Sequence, residues 1–270
     1  MHKLMFGRPA ALLSVVAALL ATSIAAHADT IDIFSTGSGV SYPGTDPNYI
    51  YTFVATNPGI NPGVLGSGSN ASIVNPGAWP LLGDSTQQWT VTPTGAKWIG
   101  PAEAFFDGYL TATSNVYYVY QTTFNIQSGI DLTTVLLTGA IVSDNCPTTV
   151  AVNGNGPTGG SGSLMPANCT LEGNSMKVVH QFKLGGSNAD FGSLAGFDYY
   201  AYATFHPGPN TIQFIVYNDA TEGANPTGVA VSLSAEGLES TIPEPASASL
   251  MIAGIALVAW FRRRGWRHSV

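Results

Sequence analysis

The chain has 270 residues, 45% of them hydrophobic and only 9% charged, with 31 glycines, 17 prolines and a formal net charge of −7. Its cations are crowded to the ends: between residues 29 and 241 three lysines, Lys97, Lys177 and Lys183, face fifteen of the sixteen acids, a net of −12 with no arginine. That sign excludes a phosphate-binding surface, so no nucleic acid partner is expected, whereas acidic, oxygen-rich loops suit a hard cation such as Ca²⁺.

In chain order, the first element is an address. His2, Lys3 and Arg8 form a basic start, residues 10–24 an apolar run, and Ala26-His27-Ala28 a small-x-small cleavage site, the pattern of a secretory signal peptide over residues 1–28. What remains up to residue 241 is long enough for one large domain with a substantial core.

From residue 29 to about 80 the sequence is rich in Gly, Pro, Ser, Asn and Thr, and Asn-Pro-Gly at Asn57, Asn61 and Asn75 punctuates short apolar pieces at 31–34 and 49–54. These read as edge strands between turns. The central run VYYVYQTTFNI alternates with period two, placing Tyr118, Tyr120, Thr122, Phe124 and Ile126 on one face and Tyr117, Val119, Gln121, Thr123 and Asn125 on the other. TVLLTGAIV follows as a more continuous apolar strand, Ser143-Asp144-Asn145 as a polar turn, and 149–152 as a short strand ending in Asn153-Gly154. The Gly-rich segment after it, to Cys169, reads as a long flexible loop. Strands are expected again at 176–184 and 199–205, at TIQFIVYN after Gly208-Pro209-Asn210, and at VAVSLS after Pro226-Thr227-Gly228. Many short strands and little helical periodicity predict an all-β, antiparallel β-sandwich.

Cys146 and Cys169 are the only cysteines. In an oxidising compartment they are most simply a disulfide closing a loop of about twenty residues, for about 3 kcal/mol. The alternatives are a metal pair, which lacks nitrogen or sulfur partners because His180 and His206 show no ligand spacing, and a reactive thiol.

The chain ends in three parts: Pro243-Glu244-Pro245, an uncharged apolar run at about 246–261, and a basic end with Arg262, Arg263, Arg264 and Arg267. The prolines hold the tripeptide extended. Sixteen helical residues span roughly 24 Å, short of a hydrocarbon core of about 30 Å, a gap that local thinning and snorkelling arginines can close. Arginines beside a span stay cytoplasmic, which leaves the domain outside the cytoplasmic membrane.

These last residues, 242–270, resemble the PEP-CTERM sorting signal: a Pro-Glu-Pro tripeptide, a short hydrophobic transmembrane helix and an Arg cluster that ends the protein. The resemblance implies an exported protein of a Gram-negative bacterium that makes extracellular polysaccharide, held at least transiently in the membrane and processed by an exosortase, a transpeptidase-like membrane enzyme. A plain C-terminal anchor is the rival reading. A second resemblance covers about residues 75–236. Lys97-Trp98-Ile99-Gly100-Pro101, YYVYQTTFNI, the Asp-Asn turn at Asp144, Asn153-Gly154, Gly208-Pro209-Asn210 and Pro226-Thr227-Gly228 look like the jelly-roll domains of PEP-CTERM proteins. Those are similar to galactose-binding-like or carbohydrate-binding-module sandwiches, which implies a glycan ligand by analogy of fold alone.

Candidates for chemistry are sparse. Glycoside hydrolysis needs two carboxyl groups across a cleft, and no short motif marks a pair among Glu103, Asp107, Asp144, Asp198 and Glu222. No nucleophile elbow occurs, since Gly160-Ser161-Gly162-Ser163 sits in the Gly-rich segment. Rings that stack on sugars are better candidates: Trp79, Trp89 and Trp98, with core packing as the alternative for each. For Ca²⁺ the candidates are Asp144 with Asn145, and Asp219 with Glu222, where ordinary turn chemistry is the alternative. The expectation is a non-enzymatic, surface- or matrix-targeted protein associated with carbohydrate or exopolysaccharide. The rivals are a structural biofilm-matrix protein without a ligand and a secreted glycan hydrolase.

Overall fold

The computed structural model describes residues 28–54, 56–74, 91–101, 116–162, 178–218, 227–240 and 254–260. Twelve strands form among them: β1 (Ala28–Ile31), β2 (Thr45–Val54), β3 (Ser69–Ile73), β4 (Ile99–Gly100), β5 (Val116–Ile126), β6 (Leu136–Asp144), β7 (Cys146–Val152), β8 (Thr158–Gly162), β9 (His180–Gly185), β10 (Tyr199–Tyr202), β11 (Gly208–Asn218) and β12 (Gly228–Leu238). All lie in one compact unit, Ala28–Glu239; the second unit comprises Met1–His27 and Ser240–Val270. The described part of the second unit holds one short helix at 254–260, and no helix among the described residues is long and apolar enough to cross a membrane. The remainder of the span expected at 246–261 lies outside the described residues.

Hydrogen bonding connects the strands in the order β7-β11-β5-β2-β3-β4-β12-β6-β9-β10-β8, with β1 on β12. The path folds back on itself, since the Phe182 ring on β9 and the Phe214 ring on β11 pack 6.0 Å apart although six strands lie between them in that order. The turn-over falls where the ladder is weakest: β2 and β3 shift register between Thr45 and Ile50, and β4 has two residues. The result is two facing layers with a shared core of Tyr118, Tyr120, Phe124, Leu137, Ile141, Phe182, Ile212, Phe214 and Val231, a β-sandwich.

Alternation places the faces of β5 as its sequence predicts: Tyr118, Tyr120, Thr122, Phe124 and Ile126 are buried, and Thr123 and Asn125 exposed. The opposite face is also covered in its middle. Gln121 accepts the Leu65 N–H at 2.9 Å and donates to the Leu65 carbonyl at 3.3 Å, while Gln213 Nε2 donates to the Gly63 carbonyl at 2.7 Å. The 59–66 segment is thus tied over β5 and β11 by two carboxamides, which satisfies backbone groups that the sheet would otherwise bury unpaired.

Three expectations are corrected. One pair is parallel, β9 with β10, because a crossover at 186–198 joins them where a hairpin would make them antiparallel. The Gly-rich segment is not wholly a loop: Thr158–Gly162 forms β8 against β10. The polar turn expected at Ser143-Asp144-Asn145 is drawn into the sheet, for Ser143 and Asp144 end β6 and all three are buried where β6 passes into β7. The turn at Asn153-Gly154 does form, with φ of 53° and 74° and a bridge between Val152 and Asn155, the two-residue hairpin geometry that Asn-Gly favours.

Candidate functional site

The outer face of the β12–β6–β9 layer carries an open groove of 210 Å³. Its floor follows from register: Ser234, Thr138 and Lys183 form one row across the three strands, and Ser232, Ala140 and Gln181 the next. Short side chains on neighbouring strands keep the floor low, and Thr138 Oγ1 lies 2.6 Å from Ser234 Oγ. Phe197 forms a wall. Lys183 holds that wall in place, donating from Nζ to the carbonyls of Phe191 and Ser193 while resting 4.2 Å from the Phe197 ring centroid. Asp198 closes the same crossover onto β9 by exchanging hydrogen bonds with the backbone of Gln181: its N–H donates to the Gln181 carbonyl at 2.9 Å and its Oδ2 accepts the Gln181 N–H at 2.8 Å. The lining therefore offers hydroxyls, one carboxamide and one ring, and the Lys183 ammonium beside them is engaged by the crossover carbonyls and the Phe197 ring. Such a set hydrogen-bonds and stacks on uncharged polyhydroxyl ligands.

None of these groove residues was singled out from the sequence. Thr138, Ala140, Ser232 and Ser234 look like ordinary outward positions, and only strand register, absent from a linear reading, places them side by side.

Of the predicted ligand-binding rings, Trp98 is a core residue. It is 1% exposed, packs with Val74, Val142 and Ala230, and donates its indole N–H to the Val91 carbonyl at 3.2 Å, so no face is open to a sugar. Trp79 and Trp89 lie outside the described residues. The predicted metal residues Asp144 and Asn145 are 0% and 6% exposed, and no group of three or more His, Cys, Asp or Glu gathers among the described residues. Asp219 and Glu222 lie outside them, as do Pro243, Glu244, Pro245, Arg262, Arg263, Arg264, Arg267 and Ala26. Ala28, expected as the last residue of the leader, opens β1 and pairs with Leu238. Cys146 is buried and no free thiol remains among the described residues. Its expected partner, Cys169, lies outside them.

Two features had no sequence signal. His180 Nδ1 lies 3.6 Å from Asp198 Oδ2, with the His180 ring on the core side of β9 alongside Phe182 and Leu184 and its Nε2 buried without a hydrogen-bond partner. A smaller recess of 80 Å³ at the β1 end is lined by Asp29, Thr30, Asp32, Asn125, Gln127 and Ile130.

Comparison with known proteins adds a finding on the tail. Residues 241–265 match the PEP-CTERM protein-sorting motif. The match marks the chain as one addressed for export and for sorting by an exosortase. No curated protein sequence matches the chain.

Proposed function

We propose that the protein is a non-enzymatic component of the cell surface or extracellular matrix, delivered by its tail and associated with uncharged polysaccharide through the groove on β12, β6 and β9. The match at 241–265 carries the delivery half of this reading. The groove supports the binding half, because its lining of Thr138, Ser232, Ser234, Gln181 and Phe197 has the hydroxyl, amide and ring chemistry of a glycan site. The acidic balance of residues 29–241 argues against an anionic polymer as ligand. Of the two Ca²⁺ candidate pairs, Asp144 and Asn145 are enclosed, which leaves Asp219 and Glu222 as the pair to test.

A glycan array with the exported domain, run with and without EDTA, tests the reading. Retention on neutral glycans, lowered about tenfold or more by Phe197→Ala with Gln181→Ala, is the expected result, a loss equivalent to about 1.4 kcal/mol. Uniform absence of binding leaves the structural matrix protein as the function. Turnover of polysaccharide that alanine at paired acids abolishes would instead make it a hydrolase.

A further inference from the structure

The last strand runs into the sorting motif with almost no spacer. β12 ends at Leu238, Glu239 still bridges Ile130, and only residues 240–242 separate that bridge from Pro243. Leu238 is held from both sides: it pairs with Ala28 on β1, its N–H donates to Thr134 Oγ1 at 3.0 Å, and its carbonyl accepts the Asp131 N–H at 2.8 Å. At no more than about 3.5 Å per residue, the four residues that follow Glu239 give a tether of at most about 14 Å.

The other end of the domain joins at the same place. Ala28, where the expected leader meets the domain, is the β1 partner of Leu238. An enzyme that grips an extended peptide needs several residues of free strand around the bond it cuts, because recognition of this kind runs through main-chain hydrogen bonds. Upstream of Pro243, Leu238 and Glu239 are already committed to the ladder.

We infer that the folded end of the sandwich governs access of the sorting enzyme: the surface around Asp29, Ile130, Asp131, Leu238 and Glu239 abuts that enzyme, and the Leu238 and Glu239 rungs open before the Pro-Glu-Pro segment is seated. This rests on reading the tail as an exosortase substrate. Opening of two terminal rungs is a local event with a smaller free energy than global unfolding. It limits access whether water or an amine takes the new carboxyl end.

The test follows tail removal over time, by intact mass, in cells that carry the sorting enzyme. Inserting about eight Gly and Ser residues between Ser240 and Thr241 adds up to about 28 Å of reach and leaves every residue of the domain unchanged. Tail removal is expected to quicken several-fold in that chain and to slow when residues 240–242 are deleted. Thr134→Ala, which removes the acceptor of the Leu238 N–H, is expected to quicken removal with the native spacer and to change nothing when the insert is present. An insertion that leaves the rate unchanged or lowers it overturns the inference. A separate chain with Pro243→Ala and Pro245→Ala tests the underlying reading: if it loses its tail at the wild-type rate, the motif is not what the enzyme reads and both fall.

Discussion

Gly139 sits on β6 directly beneath the Phe182 ring, and a methyl group there would overlap the ring carbons. Gly139→Ala is expected to cost about 1–3 kcal/mol, as overpacking does, seen as a lower urea midpoint with an unchanged slope. Asp46 makes a different residue-scale prediction. It is fully enclosed, and burial raises its carboxyl above the ordinary value of 3.8, opposed by N–H donors from Gly37, Asn48 and Tyr49. A raised value means that the folded chain holds the proton more tightly than the unfolded chain, so the contribution of Asp46 is best below pH 3.8 and declines as pH rises through its folded value. The melting temperature of the wild type relative to Asp46→Asn should therefore fall as pH is raised from about 4. A relative melting temperature that climbs over that range contradicts the assignment.

At the scale of elements, hairpin chemistry was readable and long-range pairing was not. Asn153-Gly154 announces its turn, but what the turn joins emerges only in three dimensions: Asn153 Nδ2 donates to Asn210 Oδ1 at 2.8 Å and to the Thr204 carbonyl at 3.0 Å, and its Oδ1 accepts the Thr211 N–H at 2.9 Å. Asn153 and Asn210 were each legible as turn residues, and their meeting couples the tight turn after β7 to the start of β11. Asn153→Ala leaves Thr211 N–H without its acceptor and forces a Cβ-bearing residue without the Asn amide into φ of 53°, so a loss of about 1–3 kcal/mol in thermal or urea unfolding is expected. The β8 strand escaped notice because Thr-Gly-Gly-Ser-Gly has turn composition; neighbouring backbone alone makes it a strand. The inner face of β2 and β5 carries a tyrosine cluster, with Tyr51, Tyr118 and Tyr120 rings 6.1 to 6.5 Å apart. Burial, with the nearby Tyr51, raises Tyr118 to about 12, and burial raises Tyr49 and Tyr120 well above 10. Their phenolate absorbance should appear together with unfolding as pH climbs past 10.0, where the unfolded phenols already ionise. Phenolate signal from these rings in a still-folded chain would contradict their burial.

For the molecule as a whole, the division of charge was legible at once: arginines at the two ends, acids between the two addresses. The tail motif needs no fold to be read, because two prolines, an apolar run and an Arg cluster are local features, and residues 241–265 match the sorting motif. The groove proposed as the binding site was the opposite case. Its members lie on three strands and a crossover, and of the three tryptophans weighed as sugar-stacking rings Trp98 took the core alternative, where a sandwich of this size needs a large filler. Destination is thus written locally, and the surface proposed to act there is assembled by register. The intact mass of the surface-exposed protein, taken from cells with and without the sorting enzyme, tests this most directly. Loss of the residues carrying Arg262, Arg263, Arg264 and Arg267 only when the enzyme is present is the expected result, and a full arginine-bearing tail on all of the surface protein in both would contradict it.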